Sequence, residues 1–141
     1  MNEASAFDPG RFLAMVGKVG HGRALGISYV AHGADWVEIA LPWSRELVGI
    51  EARGVLASGP IISLMDMATS MATWVSLGGW RAQATLDFRV DYLRAARPGE
   101  TVLGRGETIS LKRSIAFVRG TAHDGNPADP IAHVTGTFMA T

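Results

Sequence analysis

One segment of this chain repeats its apolar residues at helical spacing, while much of the remainder reads as short strands bounded by turn signals. Ile61, Leu64, Met65, Ala68, Met71, Ala72 and Val75 recur at three and four, which draws one apolar stripe along a helix. Pro60 suits a first helical position, where its missing N–H is no loss, and Gly78-Gly79 suits a stop. A helix of about 18 residues, roughly 27 Å long, is predicted. A stripe of that length must be buried against something, and the chain offers strands to bury it.

The cleanest strand is Ala82 to Tyr92, where Ala82, Ala84, Leu86, Phe88, Val90 and Tyr92 alternate with Gln83, Thr85, Asp87, Arg89 and Asp91. Thr101 to Leu111, Ser114 to His123 and Ile131 to Ala140 read as three more, separated by Lys112-Arg113 and by DGNPADP. Upstream, Ala24 to Val30 and Asp35 to Trp43 are predicted to form a hairpin around His32-Gly33, and Ser44 to Gly59 a glycine-punctuated connection. Asp8-Pro9 before RFLAMV predicts a short N-terminal helix with Asp8 as N-cap. Two strands, one long helix and four strands argue for an α+β architecture, an antiparallel sheet curled around a single helix. At 141 residues one domain spanning 1–141 is expected. Uncovered sheet edges are usually paired or shielded, so a homodimer or homotetramer is expected.

Thirteen basic and thirteen acidic side chains cancel, leaving no global field to attract nucleic acid or anionic lipid. Cysteine is absent, which excludes a thiol nucleophile and thiolate metal sites and fits the cytoplasm. The N-terminal stretch MNEASAFDPGRFLAMV lacks the pattern of a signal peptide. Ile61 to Leu77 carries Asp66 near its centre, a cost of roughly 2.5–3.5 kcal/mol in a membrane, so no membrane span is expected.

Asp66 is the conspicuous residue, a carboxylate about two turns into an apolar helix. Burying it unpaired costs several kcal/mol unless it is hydrogen-bonded, hydrated or used. Ser70 and Thr73 follow it at i+4 and i+7 and predict a second, polar line along the helix. His21, His32, His123 and His133 lie outside the loop and helix expected to form the site, and no ligand spacing for a metal is seen. Gly20-His21-Gly22-Arg23 misses the dinucleotide fingerprint, and Ala57-Ser58-Gly59 lacks the flanks of a nucleophile elbow.

From about Leu25 to Met139 the order of elements and the residues resemble the hot-dog-fold thioesterases, most closely the phenylacetate-pathway (PaaI-like) branch acting on acyl-coenzyme A. That branch carries Asn-x-x-Gly-x-x-His-Gly-Gly and then an Asp nine residues after the His. The matching run here is Glu51-Ala-Arg-Gly54-Val-Leu-Ala57-Ser58-Gly59, followed by Asp66. Spacing is kept, while Glu51 stands for Asn, Ala57 for His and Ser58 for the first Gly. Thr85 matches a Ser or Thr that in the family assists the carboxylate across a dimer interface; by parity alone it shares the polar side of its strand with Asp87 and Arg89.

The resemblance implies hydrolysis of a small, medium or aromatic acyl thioester, with coenzyme A as part of the substrate and no further cofactor. Thioester hydrolysis needs a group to activate water or attack the carbonyl, and donors for the oxygen that gains charge. Asp66 suits the first task as general base or nucleophile. The N–H groups of Ser58 and Gly59, ahead of Pro60, suit the second. Glu51, Gly54, Ser70 and Thr73 are candidate substrate contacts, and Lys112 and Arg113, with Arg94 and Arg97, candidate partners of the coenzyme phosphates. The three departures leave a second reading open: a catalytically silent hot-dog protein binding an acyl thioester or another apolar ligand.

Overall fold

The computed structural model describes residues 6–141; Met1 to Ser5, part of the stretch read above as no signal peptide, lie outside the described residues. Helix α1 (Pro9–Val16) starts as predicted, with the Asp8 carboxylate accepting the Arg11 N–H at 3.1 Å and Pro9 at the first turn. A second short helix, α2 (Gly20–Leu25), follows and ends on Gly26 at φ 68°. The strand expected from Ala24 therefore begins later. Leu25 is instead a buried helix terminus, and β1 (Ser28–His32) pairs with β2 (Trp36–Leu41).

The connection after β2 is more ordered than the sequence suggested. It contains 3₁₀ turns at Arg45–Leu47 and Glu51–Arg53 and a small antiparallel ribbon of β3 (Val48–Ile50) and β4 (Val55–Leu56). Helix α3 (Ser58–Leu77) runs 20 residues and ends on left-handed Gly78. It starts two residues before Pro60, so Ser58 and Gly59 occupy the first turn.

Strands β5 (Gln83–Tyr92), β6 (Val102–Lys112), β7 (Ile115–His123) and β8 (Ala132–Ala140) complete a six-stranded antiparallel sheet in the order β1-β2-β6-β7-β8-β5. The sheet wraps α3, the hot-dog arrangement, and six of the seven stripe residues are buried. Glycines permit this close approach. A Cβ on Gly106 would lie 2.6 Å from the backbone of Ala68 and Thr69, inside the contact distance of real atoms. Inward Val37, Ile39 and Leu41 on β2 and Val118 and Ala122 on β7 complete the core as strand alternation demands. Among the described residues no helix is long and apolar enough to cross a membrane.

Strand β5 departs from simple alternation. Thr85 pairs with Phe138 but Asp87 pairs with Thr137, so Leu86 is an extra, bulged residue, and it is exposed. The bulge shifts the parity. Gln83 and Thr85 before it, and Phe88, Val90 and Tyr92 after it, all turn toward the helix. Thr85 thus leaves the polar face that parity shares out to it with Asp87 and Arg89, a correction no period-two pattern could supply.

Candidate active site

Asp66 sits half-buried on the flank of α3, in a cavity of about 180 Å³ that also takes Phe12, His21, Ser63, Met67, Ser70 and Trp74 as walls. The Thr85 hydroxyl donates to Asp66 Oδ1 at 3.1 Å. Burial pushes the Asp66 carboxyl above the ordinary carboxylate range, and the Thr85 bond draws it partly back. Both groups belong to one chain, so this contact is made within the protomer rather than across an interface. One turn along, Gln83 Nε2 donates to the Ser70 carbonyl at 3.1 Å, so β5 clamps the helix at both positions.

At the start of α3, Tyr92 donates its hydroxyl to the Ser58 carbonyl at 2.9 Å, beside a second cavity of about 300 Å³ that includes Ile61, Leu93 and Arg94. Ser58 and Gly59 are exposed, and nothing lies within 4 Å of a Cβ position on Gly59. Their N–H groups belong to the helix turn that lacks intrahelical acceptors. Gly54 serves the loop: at φ 64° it takes the left-handed conformation, and its carbonyl accepts the Trp43 indole N–H at 2.9 Å.

Other candidate residues are not brought to Asp66. Thr73 is fully buried, and its hydroxyl folds back onto the Thr69 carbonyl at 3.2 Å. The polar line therefore ends at Ser70. Glu51 points to solvent on its 3₁₀ turn, paired with Arg45 at 3.4 Å and 86 % exposed at its side chain. Lys112 closes β6 and Arg113 stands in the β6–β7 turn. Through the pairs Lys112–Ile115, Ile115–Met139 and Met139–Ala84, Lys112 stands three strands from the neighbour of Thr85, about 14 Å across the sheet.

Arg94 and Arg97 are engaged elsewhere. Asp124, its side chain fully buried, accepts from Arg94 Nη2 at 2.6 Å and Nη1 at 3.0 Å, and from the Arg97 backbone N–H at 2.7 Å. Asp129 takes a further bond from each guanidinium. Arg94 holds the Asp124 carboxyl down to about 2, against the opposing effect of burial. These arginines tie the segment after β5 to the β7–β8 loop; they are not free cations awaiting phosphate.

The residue that sequence reasoning misplaces is His21. Position along the chain sets it outside the site with the other histidines, yet α2 carries it to the Asp66 cavity, where Nε2 meets the Ser63 hydroxyl at 3.0 Å. Ser63 lies three residues before Asp66 on the same helix face. The signal available in the sequence is only the polar spacing of 63, 66 and 70, because nothing local predicts that α2 folds back over α3.

A half-buried, hydroxyl-supported carboxylate on the central helix of a hot-dog sheet is the candidate site of this chain. A family model described as Thioesterase superfamily matches residues 53–131, and the chain belongs to that family. A Pseudomonas aeruginosa protein of known crystal structure is 33 % identical, with a TM-score of 0.82 over 94 % of this chain and 96 % of that one. A Haemophilus influenzae protein, provisionally named an esterase, is 32 % identical over 91 residues. The match takes in 64 % of each chain, so this chain spans under two thirds of that curated relative's length. The Escherichia coli PaaI protein of the phenylacetic acid degradation operon shares the fold at 16 % identity, with a TM-score of 0.77 over 91 % of this chain and 88 % of its own.

Proposed function

We propose that this protein is an acyl-CoA thioesterase of the cytoplasm, acting on small, medium or aromatic acyl groups with no cofactor beyond the coenzyme its substrate carries. Asp66 is the base or nucleophile, Thr85 the residue that orients its carboxylate, and the Ser58 and Gly59 N–H groups the oxyanion donors. The observation that carries this reading is the Asp66 carboxylate, half-buried at a cavity and held by the Thr85 hydroxyl. As base, Asp66 takes a proton from water while hydroxide adds to the carbonyl carbon; collapse then expels the thiolate, which recovers that proton. As nucleophile, it adds to the carbonyl carbon and expels the thiolate, leaving a mixed anhydride. Water then opens it to the free acid and the Asp66 carboxylate, and the proton released goes to the thiolate.

Geometry adds a requirement. Asp66 lies seven to eight residues along α3 from the proposed donors, about 11 Å at helical rise, whereas both must approach one thioester carbonyl to about 3 Å. In this reading two copies complete each site, with the helix start of one facing Asp66 of the other. Among the described residues the outer edge of β5 pairs with no strand, which leaves it free to join a second copy.

A specific observation favours the non-catalytic alternative. Glu51 turns to solvent and Ala57 carries no polar group, so neither of these two loop positions offers a side chain to hold the carbonyl. Thiol release from a panel of acyl-CoAs, with Asp66→Asn beside wild type, decides between the two. Loss of a general base typically lowers turnover by about 10²–10⁴, and a fall of that size is expected. Unaltered turnover would defeat the role given to Asp66. If no thioester is cleaved but acyl-CoAs raise Tm, binding is the better account.

A further inference from the structure

Beside the Asp66 cavity lies a larger groove of about 530 Å³, walled by Phe7, Phe12, Met15 and Trp80, with Asp8 and Arg11 at its rim. Phe12 lines both spaces. Around it the aromatic rings form a continuous run: Phe12 is 5.1 Å from Trp74 and 5.5 Å from Phe7, and Trp74 is 6.3 Å from Trp80. The Trp74 indole N–H is satisfied by the Arg81 carbonyl at 2.8 Å, so its polar atom makes no demand on an occupant. Trp80 and Met15 are each 62 % exposed. Large apolar side chains left in water forgo about 25 cal/mol for every Å² that a partner could cover.

We infer that this groove receives the far end of the acyl group, so that the substrates are thioesters whose uncharged acyl part is long enough to carry an alkyl or aryl end from Asp66 past Phe12 to Trp80. The inference rests on the thioesterase reading of Asp66 and adds to it the substrate class. Size supports it. An apolar cavity of about 150 Å³ accommodates a benzene ring, so the inner space holds a ring or short chain, and the outer groove lies within the range of roughly 300–1,000 Å³ usual for small ligands. Chemistry decides which end of the substrate enters. The coenzyme carries phosphates that call for cations, and Arg11 is the groove's single basic side chain among the described residues. A hydrocarbon meets aromatic faces and a thioether and leaves no polar group unpaired. Helix α1, outside the residues that match the family model, thus supplies Arg11, Phe12 and Met15 to the wall that Trp80 completes.

The test is kcat/KM for acetyl-, butyryl-, octanoyl-, dodecanoyl- and phenylacetyl-CoA, with wild type, Trp80→Ala and Phe12→Ala. Ratios between substrates cancel any general loss of folded enzyme. Wild type is expected to favour octanoyl or phenylacetyl over acetyl, the two arms separating alkyl from aryl preference. Apolar pocket contacts discriminate by roughly 10–200-fold. Trp80→Ala should lower the octanoyl-to-acetyl ratio about tenfold, and Phe12→Ala, which widens the way between the two spaces, should raise the dodecanoyl-to-octanoyl ratio. Ratios unmoved by either substitution would overturn the inference. So would a Trp80→Ala variant that changes oligomeric state in sedimentation without moving the ratios, because the groove would then be an interface between copies. If wild type cleaves no thioester, the catalytic reading fails separately, and the groove is judged by Tm. Stabilisation by octanoyl-CoA above that by acetyl-CoA, lost in Trp80→Ala, supports it; equal stabilisation by both refutes it.

Discussion

Asp124→Asn isolates the Arg94–Asp124–Arg97 clip. Wild-type Asp124 is fully buried at its side chain and takes two bonds from the Arg94 guanidinium, one from the Arg97 backbone and a longer one from Arg97 Nη1 at 3.3 Å. Its folded pKa is lowered from 3.8 to about 2. At 1.36 kcal/mol per unit, the ionised form gains about 2 kcal/mol from folding. The amide preserves shape but sets an N–H₂ against a guanidinium and leaves Arg94 short of a counter-charge; breaking buried pairs costs about 3–5 kcal/mol. Urea unfolding at pH 7 should therefore show Asp124→Asn less stable by about 2–4 kcal/mol. The sign of the pH dependence follows from the lowered pKa: the contribution is complete above the unfolded value near 3.8 and is lost as pH falls toward 2. The gap between the proteins must already narrow at pH 3. A gap below about 1 kcal/mol at pH 7, where surface pairs fall, would refute the clip, as would a gap that stays constant into acid.

Two further outcomes follow from the site and the sheet. Thr85→Val removes the bond that favours ionised Asp66, so burial acts unopposed and the carboxyl rises further; because the reaction requires the ionised form, the acid limb of the kcat/KM–pH profile should move to higher pH. A limb that stays put or moves down would exclude Thr85 from that role. Gly106→Ala sets a methyl group into the α3 backbone and should cost at least about 1–3 kcal/mol in denaturant unfolding, whereas Gly59→Ala, with open space around it, should leave stability nearly unaltered.

The sequence by itself determined the architecture. A stripe at three and four from Ile61 to Val75, the alternation within Ala82 to Tyr92 and the turn signals that bound three more strands each reflect contacts between near neighbours, because period 3.6, period two and turn chemistry follow from local backbone geometry. Asp8, Pro9 and Gly78 marked helix ends for the same local reason. Asp66 stood out because a carboxylate within an apolar stripe is costly wherever the chain folds. The tertiary structure decided the surroundings. The bulge at Leu86 is set by pairing with β8, and it alone turns Thr85 toward Asp66. Asp124 claims Arg94 and Arg97 from about 30 residues away. His21 meets Ser63 across 42 residues. Such contacts depend on which distant segments pack together, and a spacing of residues along the chain records nothing about that. Local periodicity therefore specified the sheet and its helix, while long-range packing chose the company the carboxylate keeps.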